Sequence, residues 1–329
     1  MENTPQKTMF NPTQKEEFIK YVMEKSNTKD RERGESNLIN FFYRLSSIEE
    51  EFGKDFSMFN FDEIKIALSI LCRRSVKYQI TILSQLRQYL EWAIMTNNSL
   101  DTENRLIGFS TNDVDVSMSY GMSMVKNEEQ LSEYLDITLR PMQDDTIDNM
   151  YRALFHMLFN GLDFQEAVDL KTNQIDLETK TIKLLDKNID ISEMCCKVIN
   201  YLLQMDGYVV QLFRDGWRYV DKADTGHVLE RTVDHRDNIE KAMEPAISNI
   251  FGRLKKELGY KISITRNDIY LSGVFYRTYI KELNEKKIDL SEYFLKYQHQ
   301  VFSIKSPDAK INEGMEEYLS WKKAFGLTV

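Results

Sequence analysis

Thirteen glycines and five prolines punctuate a chain of 329 residues, too few backbone breakers for a fold of many short strands and tight turns. Long helices suit it better, and the apolar side chains recur at helical spacing. From Asn37, read as a cap, the residues Leu38, Phe41, Phe42, Leu45, Ile48 and Phe52 fall on one stripe that Gly53 ends. Asn60 and Glu63 have the pattern of a capping box ahead of Ile64, Ile66 and Leu68. After Ser75, the residues Val76, Ile80, Leu83, Leu86, Leu90 and Ile94 mark a long amphipathic helix ending near Thr96. Residues 1–96 therefore read as a compact all-helical bundle.

Residues 97–128 break this pattern; they are polar and irregular, and read as a linker that lets two modules reorient or close around something. Residues 129–329 form the second domain, with a helix over Thr146–Asn160 that turns Ile147, Met150, Tyr151, Leu154 and Leu158 inward and has Gly161 at its C-terminal cap. Ile175, Leu177, Ile182, Leu184, Ile189 and Ile191 then alternate with polar residues, which predicts a small antiparallel sheet with turns at Glu178–Lys180 and Asp186–Asn188. Helices follow at Glu193–Gln204, Pro245–Leu258, Asn267–Leu283, Ser291–Gln300 and Asp308–Phe325. The fold class is mainly α with one small β-hairpin sheet.

The net charge is −9, from 43 basic and 52 acidic residues, and residues 1–100 are close to neutral. An acidic chain does not coat nucleic acid wholesale, so any such contact must come from local basic patches. No apolar run is long enough to cross a bilayer, and Met1–Glu17 lacks the apolar segment of a secretory signal. A soluble cytoplasmic protein is expected. Cys72, Cys195 and Cys196 cannot build a disulfide framework and read as buried, reduced thiols. His227 and His235 have no cysteine partner, and Asp224 and Asp234 beside them read as a polar loop, so no metal and no cofactor are expected.

The segment Phe159-Asn160-Gly161-Leu162-Asp163-Phe164-Gln165-Glu166, followed by Leu170 and Ile175-Asp176-Leu177, carries a more specific signal. With the bundle before it and the hairpin after it, the chain resembles the tyrosine recombinase (phage integrase) family over almost its whole length. Gly161, Leu162, Glu166, Leu170, Ile175 and Asp176 fit the family's Thr-Gly-Leu-Arg-x-Ser-Glu segment and the strand entry behind it. The resemblance implies a helical core-binding bundle and a catalytic-like domain that grip double-stranded DNA as a C-shaped clamp. It also exposes departures. The family's first catalytic arginine falls on Asp163. Its second box, His-Asp-Leu-Arg-His-Thr, falls on Asn267–Ser272, which puts Asn267 at the histidine and Tyr270 at the second arginine. Tyr318 lies in a region like that of the nucleophilic tyrosine, but the histidine expected upstream is Ala309. Lys183 or Lys187 falls where the hairpin lysine belongs, though a solvated turn lysine is the plainer role.

Those departures bear directly on chemistry. Attack by a tyrosine on a phosphodiester builds charge on the non-bridging oxygens, which two arginines stabilise. Losing one such group costs about 2.7–4 kcal/mol of transition-state stabilisation, and an anion at Asp163 would repel the phosphate. A tyrosine with an ordinary pKa is a poor nucleophile, so Tyr318 reads as an aromatic packed beside Trp321.

DNA binding is what such a chain retains. Arg73, Arg74 and Lys77 at the start of the long helix, and Arg87 further along it, are the bundle's candidate phosphate contacts. In the second domain the candidates are Lys171, Thr172, Lys187, Arg253, Lys256, Arg266 and Arg277, with further cations at Lys255, Lys261, Arg214–Arg218 and Arg231–Arg236. The pattern of losses is similar to that of the integrase-like repressors of SPβ-type prophages. That implies a transcriptional repressor that binds phage operator elements to hold lysogeny, as a homodimer or with a phage-encoded regulator, at the nucleoid of the host cell. Two other readings stand beside it: a divergent active recombinase using Arg266, Arg277 and Tyr318, and an accessory architectural subunit that bridges DNA.

Overall fold

A computed structural model describes residues 9–25, 31–72, 76–211, 216–223, 225–230, 239–259, 264–285, 290 and 307–327. The chain divides into two units, Met1–Tyr120 and Gly121–Val329. The first holds helices α1 (Pro12–Lys25), α2 (Arg31–Phe52), α3 (Phe61–Leu71) and α4 (Val76–Met95). Their core is aromatic, with Phe18, Phe42 and Tyr89 meeting edge to face and Trp92 beside them. Helix α2 begins well before Asn37, whose exposed side chain sits inside the helix at the modest propensity cost of an asparagine and caps nothing. Gly53 ends it in the left-handed region, at φ 66°. The capping box of α3 forms as expected: Glu63 N–H donates to Asn60 Oδ1 at 3.0 Å and Asn60 N–H to Glu63 Oε2 at 2.6 Å. Helix α4 buries Ile82, Leu83, Leu86, Tyr89, Leu90 and Ala93, a stripe that leaves Ile80 exposed.

At the centre of this bundle lies a charge. Lys15 is completely buried, and its ammonium donates to Glu49 Oε1 at 2.6 Å, Asp55 Oδ2 at 2.8 Å and the Tyr89 hydroxyl at 2.9 Å. One ammonium cannot neutralise two carboxylates. Asp55 is the one held ionised: burial alone would raise its pKa, but Lys15, the Ser57 N–H and the Tyr89 hydroxyl together lower it. Glu49 goes the other way, pushed up to about 7 by burial, with Lys15 opposing and the Asp55 charge adding to the rise.

Residues 97–116, expected to be linker, belong instead to the bundle. Leu106, Phe109 and Val114 join its core, so a segment polar in composition is anchored by three spaced apolar side chains. A short helix α5 (Ser117–Ser123) follows.

The second unit runs α6 (Glu128–Thr138), α7 (Asp148–Phe159), α8 (Phe164–Asp169), β1 (Ile175–Asp176), β2 (Thr181–Lys183), β3 (Asn188–Asp190), α9 (Glu193–Gln204), β4 (Gly207–Gln211), β5 (Trp217–Asp221), α10 (Ile239–Glu257), α11 (Arg266–Asn284) and α12 (Pro307–Ala324). The order β1-β2-β3 is antiparallel, pairing Ile175 with Ile182 and Ile182 with Ile189. A second two-stranded sheet, β4-β5, has no clear period-2 signal in the sequence, because charged residues interrupt the alternation on β5. Helix α10 starts earlier than expected and carries Pro245 inside it. Ser291–Gln300 lies outside the described residues.

Helix α7 is the axis of this unit, buried on every face from Asn149 to Phe159. Helix α11 crosses it so closely that a Cβ added at Gly273 would stand 1.7 Å from Phe159 O, which is why a glycine is required there. Buried polar groups tie the surrounding helices together: Glu128 Oε1 meets His156 Nδ1 at 2.8 Å and accepts from Asn160 Nδ2 at 3.0 Å, while Ser192 N–H donates to Asn160 Oδ1 at 2.8 Å. Among the described residues no helix is long and apolar enough to cross a membrane.

Candidate functional site

The segment behind α7 gathers residues far apart in sequence. Gly161 turns the chain at φ 107°, and Asp163 then caps α8, accepting from Glu166 N–H at 2.8 Å while Glu166 Oε2 accepts from Asp163 N–H at 2.7 Å. The carboxylate standing where the resemblance expects an arginine therefore has a structural use. Glu166 also pairs with Lys187 at 2.6 Å across the β2–β3 turn. Arg266 lies 3.9 Å over the Phe164 ring and pairs with Glu244 at 2.5 Å. Arg277 donates to Phe159 O, and its guanidinium packs where a Gly161 side chain would be, 2.8 Å from the added Cβ.

Lys187, Arg266 and Arg277 thus converge on Phe159–Glu166, and each is engaged by a carboxylate or a backbone carbonyl. To contact phosphate, these cations would have to give up protein partners first.

The second box is equally absorbed into the fold. Thr265 caps α11, and Asp268 Oδ2 accepts from its N–H at 3.0 Å and its hydroxyl at 2.7 Å. Asn267 is exposed, and Tyr270 is buried in the helix packing. Tyr318 is fully buried, stacked on Trp321 at 6.1 Å, and its hydroxyl donates to Glu282, which also holds Lys322 at 3.0 Å. Trp321 Nε1 donates to Val125 O at 3.1 Å, fastening α12 in place. Ala309 lies in α12, with its side chain outside the described residues.

Other candidates remain open to solvent. Arg253 and Lys256 are exposed on α10, without an ion pair among the described residues, and line a cleft of about 720 Å³ with Asp148, Tyr151 and Asn249. Lys171 is exposed, and Thr172 N–H and hydroxyl both donate to Gly226 O, at 3.0 and 3.4 Å. In the bundle, Lys77 is the second residue of α4, while Arg73 and Arg74 lie outside the described residues, as do Lys261, Arg214 and Arg231–Arg236. Arg87 is not a free cation. Its Nε donates to Leu106 O at 3.1 Å and its Nη2 to Phe109 O.

The thiols offer no chemistry. Burial pushes Cys72 up to about 12 and raises Cys195, so both stay protonated at neutral pH. Among the described residues no cluster of His, Cys, Asp and Glu is placed to hold a metal ion, and His227 meets the Thr225 hydroxyl at 2.8 Å instead.

A family model described as MrpR, N-terminal core-binding domain, matches residues 9–95. That region is the helical bundle. No curated protein matches the chain. Among solved structures, the XerA recombinase shares 12% identity with a TM-score of 0.33, covering 94% of this chain and 98% of its own. The Tn1549 transposon integrase in complex with transposon right end DNA shares 14% at a TM-score of 0.34, covering 91% and 94%. The integrase from mycobacterium phage Brujita shares 11% at 0.29, covering 96% and 94%.

Proposed function

We propose that this chain is a DNA-binding protein on an integrase-like plan without integrase chemistry, acting as a transcriptional repressor that holds a prophage in lysogeny. Asp163 carries the reading. A recombinase needs a cation there, and this chain has an anion committed to capping α8. The burial of Tyr270 and of Tyr318, with the Tyr318 hydroxyl held by Glu282, supports it further. Support for DNA binding comes from the core-binding match over residues 9–95 and from the exposed cations Lys171, Arg253 and Lys256. The protein then reads phage operator elements in the host cytoplasm, as a homodimer or with a phage-encoded regulator.

Incubation with a nicked duplex carrying the bound sequence tests this reading. No covalent protein–DNA adduct is expected. An adduct that vanishes in Tyr318→Phe would establish the divergent recombinase instead, with Arg266 and Arg277 as displaced cations. Genomic footprinting separates the remaining roles: a repressor occupies promoter-proximal repeats, whereas an architectural subunit occupies attachment-site arms.

A further inference from the structure

Arg87 sits in the middle of α4 with its guanidinium turned onto the main chain of the following segment. Nε donates to Leu106 O at 3.1 Å, and Nη2 donates to Phe109 O. The contact is reciprocated. Asn104 Nδ2 donates to Arg87 O at 3.0 Å, while Asn104 Oδ1 accepts from Leu106 N–H at 3.0 Å. Below these bonds Leu106 is fully buried and Phe109 nearly so, the Phe109 ring meeting Phe61 at 5.9 Å. At the other end of the segment, Leu100 N–H donates to Ser57 O at 3.1 Å. A guanidinium, with five N–H donors in a planar fork, is well suited to bond two carbonyls three residues apart, whereas a lysine offers a compact point charge.

We infer that Arg87 is a positioning residue, a latch that fastens residues 104–109 to α4 and so shortens the chain free to move between the two units. This rests on the two-unit reading of DNA binding given above. A free segment over residues 97–116 could stretch to about 70 Å, which dilutes one module around the other. Latched, that length is folded onto the bundle core through Leu106, Phe109 and Val114, and α5 follows directly. Effective concentration falls as roughly the −3/2 power of linker length, so opening the latch should weaken DNA binding by up to about fivefold. The loss should be the same for operator and scrambled duplex, because no base or phosphate contact is removed.

Two variants test this in the full chain, Arg87→Lys, which keeps the charge but not the fork, and Asn104→Ala, which removes the reciprocal contact. A third, Arg87→Ala, removes the charge as well and is used for the salt dependence. Melting curves establish that all three fold. Hydrogen exchange in the protein without DNA should show amides of residues 104–116 exchanging about tenfold faster in the first two, with those of α2 unchanged. The slope of log affinity against log salt should not change. Unaltered exchange would overturn the latch. A slope lowered by about 0.9 in Arg87→Ala, against an unchanged slope in Asn104→Ala, would overturn it in favour of a phosphate contact. If the wild type binds no DNA, the proposed function fails while the exchange experiment still decides the latch.

Discussion

The two units solve the problem of a unique core in opposite ways. The first builds its centre around an ammonium and two carboxylates, Lys15, Glu49 and Asp55, inside an aromatic shell. The second builds its centre around α7, an axis packed on every face, with a helix crossing that tolerates no side chain at Gly273. A charged centre ties stability to proton activity and to the presence of every partner. A steric centre ties it to shape. The same chain should therefore lose stability toward neutral pH mainly in its first unit and respond to added volume mainly in its second. The second unit's own pH dependence lies in acid, where Glu128 takes up its proton; burial would raise its pKa, but His156 and Asn160 hold it below the usual carboxylate range. Trp92 and Trp321 are each buried in one unit, so single-tryptophan variants, with Trp217 and the other tryptophan replaced by Phe, give separate fluorescence reports.

The largest effect should come from Lys15→Met. It leaves Glu49 and Asp55 buried without their cation, which costs about 3–5 kcal/mol. Denaturant unfolding followed at Trp92 should shift while the Trp321 transition stays put. A common shift at both probes would show that the units are not thermodynamically separate. Next comes pH itself. Glu49 holds its proton more tightly folded than unfolded, since its pKa rises from 4.5 to about 7. The stability this contributes is complete below the unfolded value and is lost as pH rises through the folded one, on the order of 3 kcal/mol in all. Asp55 acts in the reverse sense, its contribution present above its unfolded value of 3.8 and lost as pH falls through the lowered one. The bundle should then be most stable in mildly acid solution, and Glu49→Gln should remove the decline toward neutral pH.

In the second unit, Gly273→Ala forces α11 away from Phe159 and should cost about 3 kcal/mol, read at Trp321 with the Trp92 transition unchanged. An undisturbed melt would mean that the crossing is softer than its geometry. The smallest effect is Asp163→Ala, loss of the α8 cap, at about 1 kcal/mol. Thermal unfolding resolves it, and an effect within error would remove the cap as the reason for an anion there.

What was legible in the sequence was what is local. The Asn60–Glu63 box, the period-2 run from Ile175 to Ile191 and the span Glu193–Gln204 each depend on neighbours a few residues away, and all three form. The Asp163–Glu166 box has the same local signature, at a position where the resemblance implies an arginine. Non-local features left no such trace. Lys15 reads as an ordinary surface lysine until Glu49 and Asp55 are folded onto it, and Arg87 reads as a phosphate contact until Leu106 and Phe109 supply their carbonyls. The convergence of Lys187, Arg266 and Arg277 on Phe159–Glu166 likewise required the fold, since spacing alone gave no partner for any of them.

The encirclement of α7 also sets an order of events at the ribosome. Everything the first unit needs has been translated before α7 emerges, so it can settle early. Helix α7 must wait for α11, because Gly273 is made long after the Phe159 carbonyl it presses against. At about 5–20 residues per second that delay is on the order of ten seconds, during which a strongly apolar helix has no partner on one side. Nascent chains truncated before α11 should therefore be the ones that aggregate or recruit chaperones, even though their N-terminal bundle is already finished.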